Sequence, residues 1–244
     1  MSSIFRLHRE IRLREIFLAE HLLTGAHGVQ FNMYWEILDA QRQTVLRRLS
    51  ENVLPDGCYM AGGTALSLQM KLRKSVDFDF FLGKPFSETA LYEQIRDLGF
   101  SGLSALRIGG GTCDLRVGLI QVSFFYYPCQ MLEAPVVDPE SGLKLASLTD
   151  IAAMKAMAIG GRGARKDFYD LYCILSDTGM TAEQLAHNLH RKYGADHDFS
   201  YVGMGMNYFD DAEGEILSEV YRAVDWNEIK TFFRQFQKIF MKYL

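Results

Sequence analysis

The spacing of hydrophobic residues changes near residue 140 of the chain. Before that point, short apolar runs that alternate with polar residues and end at glycine predict strands between helices. Beyond it, apolar residues recur every three or four positions, which predicts amphipathic helices. We therefore expect an α+β fold in two parts, with strands and helices in residues 1–140 and helices alone in residues 141–244.

The individual elements follow from this pattern and from the glycine, proline and capping residues that interrupt it. The predicted helices are 4–22, 33–51, 64–72, 87–98, 149–159, 165–177, 181–193 and 225–241. The predicted strands are 58–61, 76–82, 103–108, 113–117 and 119–127. Ser87 is expected to cap the helix that follows it, and the Gly109–Gly111 run and Gly118 are expected at turns between strands.

Composition is ordinary for a soluble globular protein, with 48% hydrophobic and 23% charged residues. No apolar run approaches the roughly 20 residues that cross a bilayer. The first 20 residues carry acids and bases where a signal peptide would have an apolar core. These features predict a cytoplasmic protein with no membrane contact. The four cysteines lack CxxC spacing, which predicts neither a zinc site nor a disulfide framework.

The net charge of −4 argues against a protein coated with basic surface for nucleic acid, but not against a local basic patch. Two basic clusters stand out, Arg6–Arg14 and the glycine-rich segment Gly160–Lys166. Either cluster can be no more than a solvated face. For the second cluster there is an alternative, in which Arg162 on its glycine-rich link covers bound phosphates.

A glycine pair lies at a predicted strand-to-helix turn. The strand that ends at Ala61 is followed by Gly62 and Gly63, and a helix is predicted from Thr64. The first backbone N–H groups of a helix and its positive dipole end favour anions, and glycine lets a phosphate approach the backbone. The turn is therefore a candidate phosphate site. Ser75, just before the next strand, is a candidate phosphate contact or simply a residue at the strand entry.

Two aspartates lie two residues apart in the next predicted strand. Asp77 and Asp79 should therefore point to one face, while Val76, Phe78 and Phe80 face the core. Two adjacent carboxylates repel each other unless a cation lies between them, which suits Mg²⁺ or Mn²⁺ bound to triphosphate oxygens. The alternative is a solvent-facing edge strand with two incidental acids.

Charged residues recur in two of the predicted C-terminal helices. Lys155 falls on the apolar face of its helix, so it must either reach out to solvent or meet an anion such as a triphosphate. Asp167 and Asp170 are three apart and share one flank of the next helix. Their alternative role is to pair with Arg165 or Lys166 or to stabilise the helix start.

Two strings, GGTAL at residues 62–66 and RKSVDFDFF at residues 73–81, resemble the AbiEii/AbiGii toxin-type nucleotidyltransferases of the polymerase-β-like superfamily. The resemblance spans roughly residues 55–177. It implies a mixed sheet with flanking helices, followed by a helical C-terminal region. In that family a lysine and a D-x-x-D-L string on successive helices complete the site, and the matching positions are Lys155, Asp167 and Asp170.

The sequence departs from the superfamily pattern at one position. Polymerase-β-type enzymes usually place a third carboxylate on a strand beside the aspartate pair. The predicted strand 119–127 offers Ser123 there, or Gln121 under a different register. Asp114 and Glu133 are acids that could compensate from nearby, although neither matches the pattern.

The resemblance implies a metal-dependent enzyme that transfers a nucleotide from a nucleoside triphosphate to an acceptor, such as a tRNA 3′ end or a protein hydroxyl. It also implies a toxin with a separate antitoxin as its partner. In this interpretation Gly62, Gly63 and Thr64 hold the phosphates, and Asp170 orients Lys155 or the acceptor. Basic residues near the site would meet RNA: Lys71, Arg73, Lys74, Arg162, Arg165 and Lys166. The alternatives are a catalytically degenerate nucleotide-binding protein and a phosphoryl-transfer kinase that uses the same site.

Overall fold

The computed structural model describes residues 33–217 and 219–244. The predicted helix 4–22, the basic cluster Arg6–Arg14 and the glycines at 25 and 28 lie outside the described residues. Within the described part of the chain, no helix is long and apolar enough to cross a membrane.

The centre of the fold is a mixed sheet of seven strands. In chain order the strands are β1 (Tyr59–Ala61), β2 (Phe78–Leu82), β3 (Leu103–Gly109), β4 (Thr112–Val117), β5 (Ile120–Tyr126), β6 (Val136–Val137) and β7 (Lys144–Leu145). Their order across the sheet is β3-β4-β5-β2-β1-β7-β6. The pairs β2–β5 and β1–β7 are parallel, and the other neighbours are antiparallel. The predicted α+β class is confirmed.

Nine α-helices surround the sheet in the described residues. They are α1 (Ala40–Asn52), α2 (Gly62–Met70), α3 (Glu88–Asp97), α4 (Leu148–Gly161), α5 (Arg165–Thr178), α6 (Ala182–Tyr193), α7 (Ser200–Gly205), α8 (Asp210–Glu213) and α9 (Trp226–Phe240). Most of the longer helices begin at a side chain that accepts a backbone N–H bond, which satisfies one free donor of the first turn. These caps are Asp39, Ser87, Ser147, Thr181 and Asp225.

Two predicted elements need correction, and four short elements were not predicted. The helix predicted over 33–51 is a 3₁₀ turn at Trp35–Ile37 followed by α1, because Asp39 caps a new helix at Ala40. The strand predicted from Val76 begins at Phe78, so Asp77 precedes it and Val76 is only partly buried. The strands β6 and β7 and the helices α7 and α8 were not predicted, since two to six residues are too few to show a period.

The hydrophobic core explains how the sheet and the C-terminal helices come together. One face of the sheet contributes Phe78, Phe80 and Phe124, all fully buried, and the rings of Phe80 and Phe124 stack with centroids 4.9 Å apart. Helix α2 packs against α4. Gln69 of α2 also donates to the Ala146 carbonyl oxygen at 3.0 Å. This packing brings the start of α2 and residues of α4 and α5 to the same end of the sheet.

Candidate active site

The glycine turn and Asp79 meet at the start of α2. Gly62 has φ +77°, a conformation that favours glycine, and Ala61 supplies no side-chain cap to the helix. Ala61 pairs with Asp79 across β1 and β2. A β-carbon on Gly62 would lie 2.9 Å from Asp79 Oδ2. The carboxylate therefore lies directly beside the end of a helix that attracts anions.

The next residues fix the loop that carries Ser75 and Asp77. Thr64 is buried, and its hydroxyl donates to the Asp77 carbonyl oxygen at 2.6 Å and lies 3.0 Å from Ser75 Oγ. A β-carbon on Gly63 would lie 2.7 Å from Ser75 Oγ. The structure thus brings together Gly62, Gly63, Thr64 and Ser75. The hydroxyl of Thr64 is already hydrogen-bonded to the loop that carries Ser75 and Asp77.

The two aspartates differ in their surroundings. Asp77 is exposed, whereas Asp79 is partly buried in β2. Burial raises the pKa of the Asp79 carboxyl above its usual value, and the negative charge of Asp77 adds to the rise. Three cations oppose that rise: Lys155, Lys166 and Arg162. The rule that alternate strand residues share a face does not apply to Asp77, but its charge still acts on Asp79.

The C-terminal helices contribute a buried cluster of ion pairs. Lys155 Nζ lies 3.0 Å from Asp167 Oδ1 and 2.7 Å from Asp170 Oδ2. Arg162 Nε donates to Asp167 Oδ2 at 2.7 Å. Although burial acts to raise it, the hydrogen bond from Arg162 and the charge of Lys155 hold the pKa of Asp167 below its usual value. Neither aspartate forms an ion pair with Arg165 or Lys166 in the described structure, whereas Asp167 does lie in the first turn of α5, where an acid stabilises the helix start.

Arg73 completes the cluster, and sequence reasoning missed it. The prediction placed Arg73 on a basic surface for RNA, but the residue is 6% exposed. Its Nε and Nη2 atoms donate to the two oxygens of Asp170, each at 2.7 Å. A β-carbon on Gly63 would lie 2.8 Å from Arg73 Nη2, so the guanidinium also lies near the start of α2. The sequence carries no signal for this contact, since its partner lies 97 residues away.

Of the other predicted basic residues, three contact neighbouring side chains or backbone away from Asp79, and two lie exposed near Asp79. Arg165 packs over the ring of Trp226 and donates to the Glu215 carbonyl oxygen. Lys71 and Lys74 form surface ion pairs with Glu36 and Glu219 respectively. Lys166 is exposed, and the side chain of Arg162 is 60% exposed. Lys166 and Arg162 are therefore the accessible cations beside Asp79.

The strand register identifies the residue at the expected position of the third carboxylate. Asp79 pairs with Ser123, not with Gln121. Asp114 lies one strand further and accepts a hydrogen bond from Ser123 Oγ at 2.9 Å. Glu133 is exposed, and its carboxylate accepts a hydrogen bond from the hydroxyl of Thr149, at the start of α4.

The residues around Asp79 fit a small divalent cation. Across residues 33–217 and 219–244, no group of three or more His, Cys, Asp or Glu side chains could hold a metal. Mg²⁺ does not need such a cage, because it commonly takes one or two carboxylates, several waters and substrate phosphates. Asp77 and Asp79 would supply the carboxylates, and a cation would favour the ionised form of Asp79, whose pKa is raised by burial and by the charge of Asp77.

The mixed sheet, the glycine turn into a helix, and two aspartates at the adjoining strand, Asp77 just before it and Asp79 within it, define a nucleotidyltransferase-like protein. The sequence profile described as "Nucleotidyl transferase AbiEii toxin, Type IV TA system" matches residues 44–239. The chain belongs to this family, which confirms the resemblance seen in its sequence.

One sequence relative and two solved structures are similar to the chain. The protein aq_aa25 of Aquifex aeolicus (strain VF5), itself uncharacterised, is 34% identical over 204 residues, 83% of this chain and 96% of its own. MenT4, a nucleotidyltransferase toxin of Mycobacterium tuberculosis H37Rv, has TM-score 0.54 at 17% identity, covering 95% of this chain and 90% of its own. JHP933 of Helicobacter pylori has TM-score 0.53 at 17% identity, covering 84% and 95%. The two solved structures share the fold.

Proposed function

We propose that this protein transfers a nucleotidyl group from a nucleoside triphosphate to an acceptor hydroxyl, with Mg²⁺ or Mn²⁺ held by Asp77 and Asp79. The observation that carries the proposal is that the Asp79 carboxylate lies directly beside the start of α2. This carboxylate faces a cluster of side chains that has more cations than anions. That cluster holds Arg73, Lys155 and Arg162 against Asp167 and Asp170. A triphosphate with its cation would fit between these two charged surfaces.

Each group has a distinct task in this proposal. The divalent cation supplies charge that stabilises the phosphates during transfer. Gly62 and Gly63 let the triphosphate approach the N–H groups of α2, and Ser75 and Arg162 contact it at the rim. Lys155 offers a positive charge that Asp167 and Asp170 hold in place. Hydrogen-bond donors that are already in position before the reaction stabilise the negative charge that develops on the leaving pyrophosphate.

The proposed biological setting is that of a toxin in the cytoplasm, restrained by a separate antitoxin protein. The proposed acceptor is RNA, with a tRNA 3′ end as the first candidate and a protein hydroxyl as the second. Lys166 and Arg162 are exposed beside Asp79 and are the cations that would meet a nucleic-acid phosphate. RNA binding through such contacts would weaken steeply with salt.

The test uses an equimolar mixture of the NTPs in two parallel reactions. In one reaction the NTPs carry the label on the α phosphate, and in the other they carry it on the γ phosphate. The protein is incubated with total tRNA and Mg²⁺. Transfer of the α label into RNA or protein, with release of pyrophosphate, is the expected result. Transfer of the γ label would identify a kinase. Binding of MgNTP without any transfer would identify a degenerate nucleotide-binding protein, and either outcome overturns the proposal.

A further inference from the structure

A row of polar residues crosses three neighbouring strands beside Asp79. Asp79 of β2 pairs with Ser123 of β5, and Ser123 pairs with Asp114 of β4. Residues that lie directly opposite each other in a sheet share a face. The side chains of Ser123 and Asp114 therefore extend from the candidate site across the sheet, and the roles assigned above use neither of them.

The hydrogen bonds in this row aim a carboxylate toward the site. Ser123 is only 2% exposed, and its hydroxyl donates to Asp114 Oδ1 at 2.9 Å. Gln121 Nε2 donates to the same oxygen at 3.0 Å. Two donors on β5 thus draw Asp114 toward Asp79. The buried hydroxyl of Ser123 has the carboxylate as its proton acceptor.

Asp114 has no ion-pair partner in the described part of the chain. Arg107 lies opposite it on β3, but the two form no ion pair there. A β-carbon on Gly110 would lie 3.4 Å from Arg107 Nη2, so the guanidinium extends toward the turn after β3. The Asp114 carboxylate, two strands away from Asp79 and held by two neutral donors, is thus left available to take a proton.

We propose that Ser123 and Asp114 form a proton relay for nucleotidyl transfer, an inference that rests on the proposed function. The acceptor oxygen forms a bond to the α-phosphorus. The bond from that phosphorus to the bridging oxygen breaks, and pyrophosphate leaves with its electron pair. The acceptor proton passes to Ser123 Oγ while Ser123 gives its own proton to Asp114 Oδ1. Asp114 acts through Ser123, and Gln121 is a positioning residue for Asp114.

Strand spacing explains why a hydroxyl is needed in the middle of the row. Neighbouring strands are about 4.8 Å apart, so the backbones at Asp79 and Asp114 are separated by on the order of 10 Å. A carboxylate on β4 is thus too far from Asp79 to reach the same group directly. Ser123 occupies the intermediate position and connects Asp114 with the site.

The test compares transfer of the α label to total tRNA by Asp114→Asn, Ser123→Ala and the wild type. Loss of a proton acceptor is expected to slow transfer by on the order of 10²-fold. MgNTP affinity, measured by calorimetry, should change less than about twofold, because the relay makes no contact with the triphosphate. Asp97→Asn, at an exposed acid at the end of α3, is the matched control and should transfer like the wild type.

A rescue variant separates the relay from a structural role. Ser123→Asp combined with Asp114→Asn places a carboxylate directly opposite Asp79, and it should recover at least tenfold in rate over Asp114→Asn alone. Wild-type-like transfer by Asp114→Asn, or failure of the rescue in a folded double variant, would overturn the relay alone. Absence of α-label transfer by the wild type itself would overturn the proposed function and the relay with it.

Discussion

The surroundings of Asp79 disfavour its ionised form, because burial and the negative charge of Asp77 both raise the pKa of its carboxyl. Lys155 and Arg162 oppose this effect only in part, since both are already paired with Asp167. The positive charge of these residues and of Lys166 therefore does not fully offset the burial of Asp79. A bound divalent cation would supply further positive charge, which connects the electrostatics of one residue with the proposed chemistry.

The raised pKa of Asp79 has a defined consequence for stability. The unfolded chain has the ordinary pKa of 3.8, so ionised Asp79 disfavours the folded state at neutral pH. We expect Asp79→Asn to increase the free energy of unfolding at pH 7. The gain should shrink as the pH falls through the raised pKa toward 3.8. Urea unfolding at a series of pH values measures this, and a gain that persists unchanged below pH 3.8 would contradict it.

Lys155 should affect both binding and stability. Lys155→Met keeps the apolar stem but removes a cation from two buried aspartates, so we expect lower stability. We also expect nucleotide affinity to fall by on the order of tenfold, since a charge-assisted contact contributes about 1.5–3 kcal/mol. Calorimetry and urea unfolding test the two effects. Lys144→Met, at an exposed lysine of β7, is the control. Unchanged affinity would show that Lys155 is only a structural ion-pair partner.

At the scale of elements, the hydrophobic period predicted the sheet strands and long helices well, because each buries one face. Ser87 caps α3 as predicted, and glycine turns separate β3, β4 and β5. The contacts of Arg73 were beyond prediction, and the sequence left the register beside Asp79 open between Ser123 and Gln121. They depend on which distant elements pack together, and that information is absent from a local pattern.

The turn into α2 should be sensitive to the loss of its first glycine. Gly62 and Gly57 have φ +77° and +76°, so alanine at either position is strained by roughly 1–2 kcal/mol. The β-carbon added at Gly62 would lie 2.9 Å from Asp79 Oδ2, whereas the one added at Gly57 would have no heavy atom within 4 Å. We expect both variants to carry similar backbone strain, Gly62→Ala to lose further stability through the close contact with Asp79, and only Gly62→Ala to bind MgNTP at least about tenfold more weakly.

Unfolding and calorimetry on this matched pair separate the two effects. Equal nucleotide affinity for Gly62→Ala and Gly57→Ala would mean that the turn does not hold the phosphates.

At the scale of the whole molecule, the candidate site draws on residues from both sides of position 140. Asp79 lies in the sheet, while Lys155 and Asp170 lie on helices after β7. Strand β7 itself pairs with β1 beside the glycine turn, with Met60 opposite Leu145. The division at residue 140 stays a prediction, but the site depends on the docking of the C-terminal helices onto the sheet.

A buried ion pair joins two of these helices, α4 and α6, to each other and to the segment after β5. Lys192 of α6 and Asp150 of α4 are 2.6 Å apart with side chains 0% exposed, and Asp150 also accepts from the Leu132 backbone N–H. We expect Lys192→Met to lower the free energy of unfolding by about 3–5 kcal/mol, because it leaves a buried charge unpaired.

The surface pair between Lys230 and Glu213 provides the comparison for this change. Lys230→Met should cost about 0–1 kcal/mol in the same urea titration. A similar small loss for Lys192→Met would show that the Asp150 carboxylate is satisfied without its lysine.

The central claim is that Asp77 and Asp79 hold the nucleotide through a divalent cation. The most direct measurement is calorimetric binding of NTP, with and without Mg²⁺, to the wild type, to Asp77→Asn combined with Asp79→Asn, and to the control Asp97→Asn. We expect the wild type and the control to bind only with Mg²⁺, and the double variant to remain folded but to lose this binding. Binding of MgNTP by the folded double variant with wild-type affinity would contradict the claim.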